Sequence, residues 1–182
     1  MKIEREKKFR IPDYYIFKEL ISRSKDISLI IQWYDRKGRR TRLEKKNNKE
    51  IWTTNIKKEI KKGLREEIEY VINPEKVDIE DMKNQRMVIK NRYILNYDPE
   101  IVVDEILNPD NCINYKKNLS EIRYLLEIEE KFEKVDLESF LKDFLQDLYY
   151  KLEDLTYLEG YNNSDFAGTH NCNLKKIVGS RK

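Results

Sequence analysis

Charged residues recur at every second position in segment after segment of this chain. Residues two apart in a β-strand share a face. Glu4, Glu6 and Lys8 would therefore project together, as would Arg40 with Arg42, Asn55 with Lys57, Arg65 with Glu67 and Glu69, Lys90 with Arg92, and Glu127 with Glu129. Asp104 stands alone after the apolar run Ile101-Val102-Val103. Lysines and arginines in number select phosphate oxygens, and carboxylates without His or Cys select hard cations such as Mg²⁺ or Mn²⁺. Together the two sets specify a complex of metal and polyphosphate.

For any single strand a polar face turned to water explains the alternation. That explanation weakens for Glu127 and Glu129, bracketed by apolar residues in Tyr124-Leu125-Leu126-Glu127-Ile128-Glu129. It also weakens around Glu4 and Glu6, whose neighbours on the opposite face do not form an equally good core.

The elements that must position these side chains follow from hydrophobic period. Alternation at period two places strands near 2–9, 27–35, 39–46, 50–58, 64–72, 86–97, 100–107 and 121–132, with Gly38 and Gly63 at tight hairpin turns. Helical spacing occurs near 12–23, after Ile11-Pro12-Asp13, and near 136–152, where Leu137, Leu141, Phe144, Leu145 and Leu148 form one stripe behind Asp136 as N-cap. A short helix is expected after Pro74, and 108–118 reads as a loop. The fold class is mainly β with flanking helices (α+β), as a closed eight-stranded antiparallel β-barrel. Such an interior admits side chains or one small ligand. Charges of both signs inside it would be prohibitively costly unless water, metal and phosphate satisfied them.

The 182 residues suit one domain. Lys and Arg number 37 against 34 Asp and Glu, a net charge of +3, which is not the signature of a dedicated nucleic-acid binder; only a 5′-triphosphate end would be a nucleic-acid partner. Twelve Tyr, six Phe and two Trp spread along the chain argue for a folded protein. Cys112 and Cys172 lie far apart outside any CxxC pattern, suggesting neither a zinc ribbon nor a disulfide framework and fitting a reducing cytoplasm. The charged N-terminus lacks a signal-peptide core, and no apolar run reaches a membrane span, so neither export nor a membrane partner is expected.

Glu4-Arg5-Glu6-Lys7-Lys8 resembles the ExExK signature of the triphosphate tunnel metalloenzymes, the CYTH proteins, and further motifs follow in the family's order. Gln32-x-Tyr34 resembles its QxY strand, Arg40-Thr41-Arg42 its RxR, Asn55-Ile56-Lys57 its TxK, and Arg65-Glu66-Glu67-Ile68-Glu69 its RxExE. Lys90-Asn91-Arg92 resembles KxR, Val103-Asp104 the lone acidic position, and Glu127-Ile128-Glu129 the late ExE. Asp154-Leu155-Thr156 with Tyr161-Asn162-Asn163-Ser164-Asp165-Phe166-Ala167 resembles the ending of compact bacterial inorganic triphosphatases. The likeness covers about residues 2–167, within a tunnel domain drawn at 1–168 and followed by a polar tail at 169–182. The Thr of TxK is replaced by Asn55, with Thr53 and Thr54 as alternative registers.

The resemblance implies an eight-stranded tunnel, two Mg²⁺ or Mn²⁺ ions, and a triphosphate ligand. Metal falls to Glu4, Glu6, Asp104, Glu127 and Glu129, with Glu67, Glu69 and Tyr34 as outer partners. Phosphate falls to Lys8, Arg40, Arg42, Lys57, Arg65, Lys90 and Arg92, of which Lys8, Arg40, Arg42, Lys57 and Arg92 are the candidate catalytic groups. Gln32 and Tyr34 could equally pack at a strand end; Trp33 and Trp52 are assigned to packing, and His170 and Cys172 receive no role. The expected activity is metal-dependent hydrolysis of the terminal phosphate of inorganic tripolyphosphate or of a small nucleoside or thiamine triphosphate. A class IV-type adenylyl cyclase and a non-catalytic triphosphate-binding module are the alternatives, and a homodimer is left open.

Overall fold

A computed structural model describes residues 2–62, 64–132 and 134–179, of which Lys2, Ile3 and Arg65 are described by their backbone alone. The long strands are β1 (Lys2–Arg10), β2 (Asp26–Tyr34), β3 (Arg40–Lys46), β4 (Lys49–Lys61), β5 (Leu64–Val71), β6 (Arg86–Tyr97) and β7 (Glu100–Leu107). The short β8 (Ile113–Asn114) is followed by a further long strand, β9 (Tyr124–Glu130), and then by the short β10 (Glu153–Asp154) and β11 (Thr169–His170). The helices are α1 (Tyr14–Ile21), α2 (Ile79–Met82), α3 (Leu119–Ile122), α4 (Leu137–Leu145), α5 (Asn163–Phe166) and α6 (Leu174–Val178).

The strands form a nine-stranded antiparallel sheet in the order β10-β1-β5-β4-β3-β2-β6-β7-β9, curled so far that β1 also pairs with β9. The two ladders of β1 use successive halves: Lys2 to Arg5 face β5, and Arg5 to Arg10 face β9. The ninth strand, absent from the sequence expectation, is the dipeptide Glu153–Asp154 added beside Phe9 and Arg10. Most connections are hairpins, as the alternating segments separated by short polar turns require. Gly38 closes the β2–β3 turn with φ +78°, a conformation costly for any side chain. Gly63 lies outside the described residues.

Helices cover the outer face in two places. Phe17 and Leu20 of α1, with Leu137, Leu141 and Leu145 of α4, pack on Phe9, Leu95, Ile101, Val103, Leu126 and Ile128. Asp13 and Asp136 cap the two helices through their side chains. The expected long helix at 136–152 is shorter, because Gln146 has φ 53° and the chain tightens into a 3₁₀ turn over Gln146–Lys151. Trp33 and Trp52 stack at 5.8 Å on the outer face of β2 and β4, as their assignment to packing requires. Over that apolar cluster lie Met82 of α2 and Leu174 and Val178 of α6.

Residues 169–178 pack against the rest of the chain. β11 pairs with β8, and Cys112 and Cys172 form a disulfide, correcting the expectation that these cysteines are unpaired. Their sequence separation of 60 hides a proximity created only when 108–118 folds back against 168–172. An ideal Cβ on Gly168 would lie 2.0 Å from the backbone oxygen of Asn114, so only glycine permits this approach. No helix among the described residues is long and apolar enough to cross a membrane.

Candidate functional site

The pleat sends one face of every long strand into the hollow of the curled sheet. At one end this interior is apolar: Tyr34, Val88, Ile106 and Leu125 meet Leu155, Phe166 and Ala167, which the segment after β10 brings across the opening. The remainder is charged. A cavity of about 390 Å³ is lined by Glu4, Glu6 and Lys8 of β1, Gln32 and Tyr34 of β2, Arg40 and Arg42 of β3, Asn55 and Lys57 of β4, and Glu67 and Glu69 of β5. Arg92 of β6 with Glu127 and Glu129 of β9 complete the set named from the sequence. Asn55, not Thr54, takes the inward position beside Lys57; Thr54 turns its hydroxyl to the Arg40 carbonyl oxygen.

Two sequence expectations lie elsewhere, and a third falls outside the described side chains. The side chain of Arg65 is outside the described residues. Lys90 and Asp104 share the inward face but lie behind the cavity, 0% and 1% exposed, and do not line it. Asp104 accepts Lys90 Nζ at 2.6 Å and the Arg92 fork at 2.8 and 2.7 Å. Both oxygens of Asp104, expected at the metal, thus face cationic side chains, and Lys90, expected at phosphate, faces Asp104.

The cavity lining also contains residues to which the sequence reading gave no site role. Glu59 and Lys131 extend the alternation of β4 and β9 by one more step, so a longer count would have found them. Glu100 opens β7 without a charged partner two positions on, and no pattern marks it. Asn162, Asn163, Ser164 and Asp165 belong to no strand and reach the cavity through the segment that crosses its end.

The charges are distributed unevenly. Along one side, the register sets Glu6 opposite Glu129 and Glu129 opposite Glu100, a row of like charges that repel unless a cation lies between them. Burial, with Glu100, Glu127 and Glu6, holds the Glu129 carboxyl above its usual value despite Lys57. Glu4 is pushed up to about 8, first by burial and then by its hydrogen bond with Glu67, while Glu67 is held low against burial by that bond and by Lys57 and Arg40. The pair therefore keeps one proton between them; ionised, Glu4 leaves Oε1 buried without a donor. Lys57 Nζ donates to Glu4 Oε2 at 3.2 Å, and Asn55 Nδ2 donates to Glu67.

On the other side cations crowd one another. Burial, then Arg40 and Arg92, push the Arg42 guanidinium down to about 10, and the Nε atoms of Arg40 and Arg42 are buried without an acceptor. Arg40 reaches Glu67 and Glu69 only at 3.4 Å, whereas Lys8 pairs with Glu127 at 3.0 Å. Tyr34 donates its hydroxyl to Gln32 at 3.2 Å; both residues line the cavity, and Tyr34 also packs its apolar end.

Among the described residues no three carboxylate, imidazole or thiolate groups converge closely enough to hold a metal as they stand. The donor chemistry nonetheless fits a hard divalent cation: carboxylates with raised pKa values and the orphaned Glu4 Oε1 are what a cation would satisfy. The unsatisfied guanidinium atoms opposite are what an anion would satisfy.

No family model matches the chain, and no curated protein matches it. Its fold does match solved structures. The PH1012 protein of Pyrococcus horikoshii OT3 covers 82% of this chain and 94% of its own length at a TM-score of 0.52 and 17% identity. A conserved hypothetical protein of Pyrococcus furiosus covers 86% and 97% at 0.52 and 15%. HpAC1 of Hippeastrum, an adenylyl cyclase candidate reported to show a dominant triphosphatase activity, covers 84% and 90% at 0.50 and 15%. These likenesses show that the chain shares the fold of these proteins, a curled antiparallel sheet with flanking helices, consistent with the fold that its sequence resembles.

Proposed function

We propose that this chain binds the triphosphate group of a small molecule together with divalent cations, inside a closed eight-stranded tunnel, and hydrolyses the terminal phosphate. One observation carries the reading: a single cavity holds carboxyls raised above their usual pKa and an unsatisfied Glu4 Oε1 on one side, and crowded guanidinium groups whose Arg40 and Arg42 Nε atoms lack an acceptor on the other. Only a ligand complex bearing both signs relieves both. The pairing of β1 with β5 and with β9 supports closure of the tunnel, and the activity reported for HpAC1 supports hydrolysis.

In this reading Arg40, Arg42 and Arg92 grip the phosphate oxygens and neutralise charge that spreads over the transferring group. Lys8, held by Glu127 and by the Tyr161 carbonyl oxygen at 3.1 Å, presents an ammonium at the cavity wall in a fixed orientation. Lys57 bridges the two sides, since burial lowers its pKa while Glu129, Glu67 and Glu4 raise it by more, so it stays charged. Glu6, Glu129 and Glu4 would hold Mg²⁺ or Mn²⁺, with Glu100 and Glu127 beside them. When bound, the ions shield phosphate charge and lower the pKa of a coordinated water. The apolar end of the interior excludes bulk water and strengthens each of these interactions.

The test is a panel of tripolyphosphate, ATP, GTP and thiamine triphosphate with Mg²⁺ or Mn²⁺, with products identified. Orthophosphate release supports the reading. Pyrophosphate and cyclic AMP from ATP, with tripolyphosphate intact, would instead indicate a cyclase. Tight binding without turnover would leave a binding module.

A further inference from the structure

We propose that Lys90 and Asp104 form a buried positioning pair for Arg92 and touch neither phosphate nor metal; this rests on the cavity being the triphosphate site. The β6–β7 register sets Arg92 opposite Asp104 and Lys90 opposite Ile106, one step deeper. Arg92 lines the cavity, and its Nε and Nη2 bind the two oxygens of Asp104 at 2.8 and 2.7 Å, the fork geometry that fixes a guanidinium plane. Lys90 Nζ reaches Asp104 Oδ2 at 2.6 Å, with no exposed surface of its own. Arg92 Nη2 continues to Glu127 Oε2 at 3.4 Å, and Glu127 Oε1 to Lys8 at 3.0 Å.

Charge counting along this chain of contacts gives Lys90 its purpose. Asp104 and Glu127 alone would cancel Arg92 and Lys8, and this wall of the cavity would add nothing to the pull of Arg40 and Arg42 on phosphate. Burial, then Arg92 and Arg42, push Lys90 down to about 7 against the pull of Asp104 and Glu127; as an ammonium at 2.6 Å it compensates Asp104 from behind, so that Asp104 can orient Arg92 without cancelling its charge toward the cavity. Without Lys90, Asp104 would be a buried anion paired with Arg92 alone, offsetting the charge that Arg92 presents to the ligand.

The experiment measures the tripolyphosphate dissociation constant by calorimetry in the parent, Lys90→Met, Asp104→Asn and the double variant, with thermal melts as a fold check. Lys90→Met alone should weaken binding by roughly tenfold, the effect of one uncompensated buried charge. Lys90→Met added to Asp104→Asn should change the constant by less than about threefold, because nothing is left to compensate. A loss of tenfold or more in both backgrounds means that Lys90 grips phosphate itself and overturns the proposal. If Lys90→Met does not fold, Asp104→Asn against the double variant decides alone by the same criterion. A parent protein that binds no tripolyphosphate overturns the site reading as well, whereas a binding parent with a persistent Lys90 loss overturns only the pair.

Discussion

Replacing Glu4 by Gln probes the carboxylate side of the cavity and yields a number. Glu4 is 2% exposed and its carboxyl is pushed up to about 8 by burial and then by Glu67, against the pull of Lys57. At pH 7 such a group is protonated in roughly nine molecules of ten. A divalent cation binds the carboxylate, so loading at pH 7 should expel about one proton per chain, falling to about a tenth of a proton at pH 9. Calorimetric titration of Mg²⁺ in two buffers of different ionisation enthalpy counts those protons. In Glu4→Gln the amide can still donate to Glu67, so the fold holds, and proton release at pH 7 should fall close to zero. The metal-free stability has a definite sign. A raised carboxyl contributes stability in full below its unfolded value of 4.5 and loses it as pH rises through about 8. The metal-free variant should therefore exceed the parent in stability at pH 8 to 9, by on the order of a few kcal/mol at most, and not at pH 4. Glu67, held low, loses its contribution only in acid. Equal proton release from parent and variant at pH 7 would refute the assignment of Glu4 to the cation.

Arg42→Ala and Arg92→Ala should each weaken tripolyphosphate binding by roughly 10- to 100-fold, the worth of charge-assisted hydrogen bonds, and an unchanged calorimetric affinity would mean that neither touches the ligand. Glu6→Gln and Glu129→Gln should abolish metal-dependent turnover while circular dichroism and melting stay near the parent; near-normal activity in both would remove these residues from the metal site. Reducing the Cys112–Cys172 bond, or replacing either residue by Ser, opens a loop of 60 residues and should cost about 4 kcal/mol, lowering the melting temperature by roughly 10 °C. Identical melts with and without a thiol reductant would contradict the clasp.

Alternation made much of the site legible, because a period of two fixes which residues share a face and a curled sheet turns that face inward. Glu4, Glu6, Lys8, Arg40, Arg42, Glu127 and Glu129 were identifiable for that reason, and each lines the cavity. Period alone does not report depth. Lys90 and Arg92 follow the same spacing, yet the first is sealed behind the second, since the interior is apolar at one end and charged along the rest. Contacts between distant segments were equally silent. The pairing of Cys112 with Cys172, and the arrival of Asn162 to Asp165 at the cavity, depend on Gly168 letting one backbone lie against another. The β10 dipeptide escaped because two residues carry no period.

The most direct test of the account is a crystal structure of the Glu6→Gln variant soaked with tripolyphosphate and Mg²⁺. It should show a three-phosphate chain with oxygens on Arg40, Arg42 and Arg92, and a cation between that chain and Glu4 or Glu129. Phosphate density confined to surface lysines, with the cavity holding water alone, would contradict it.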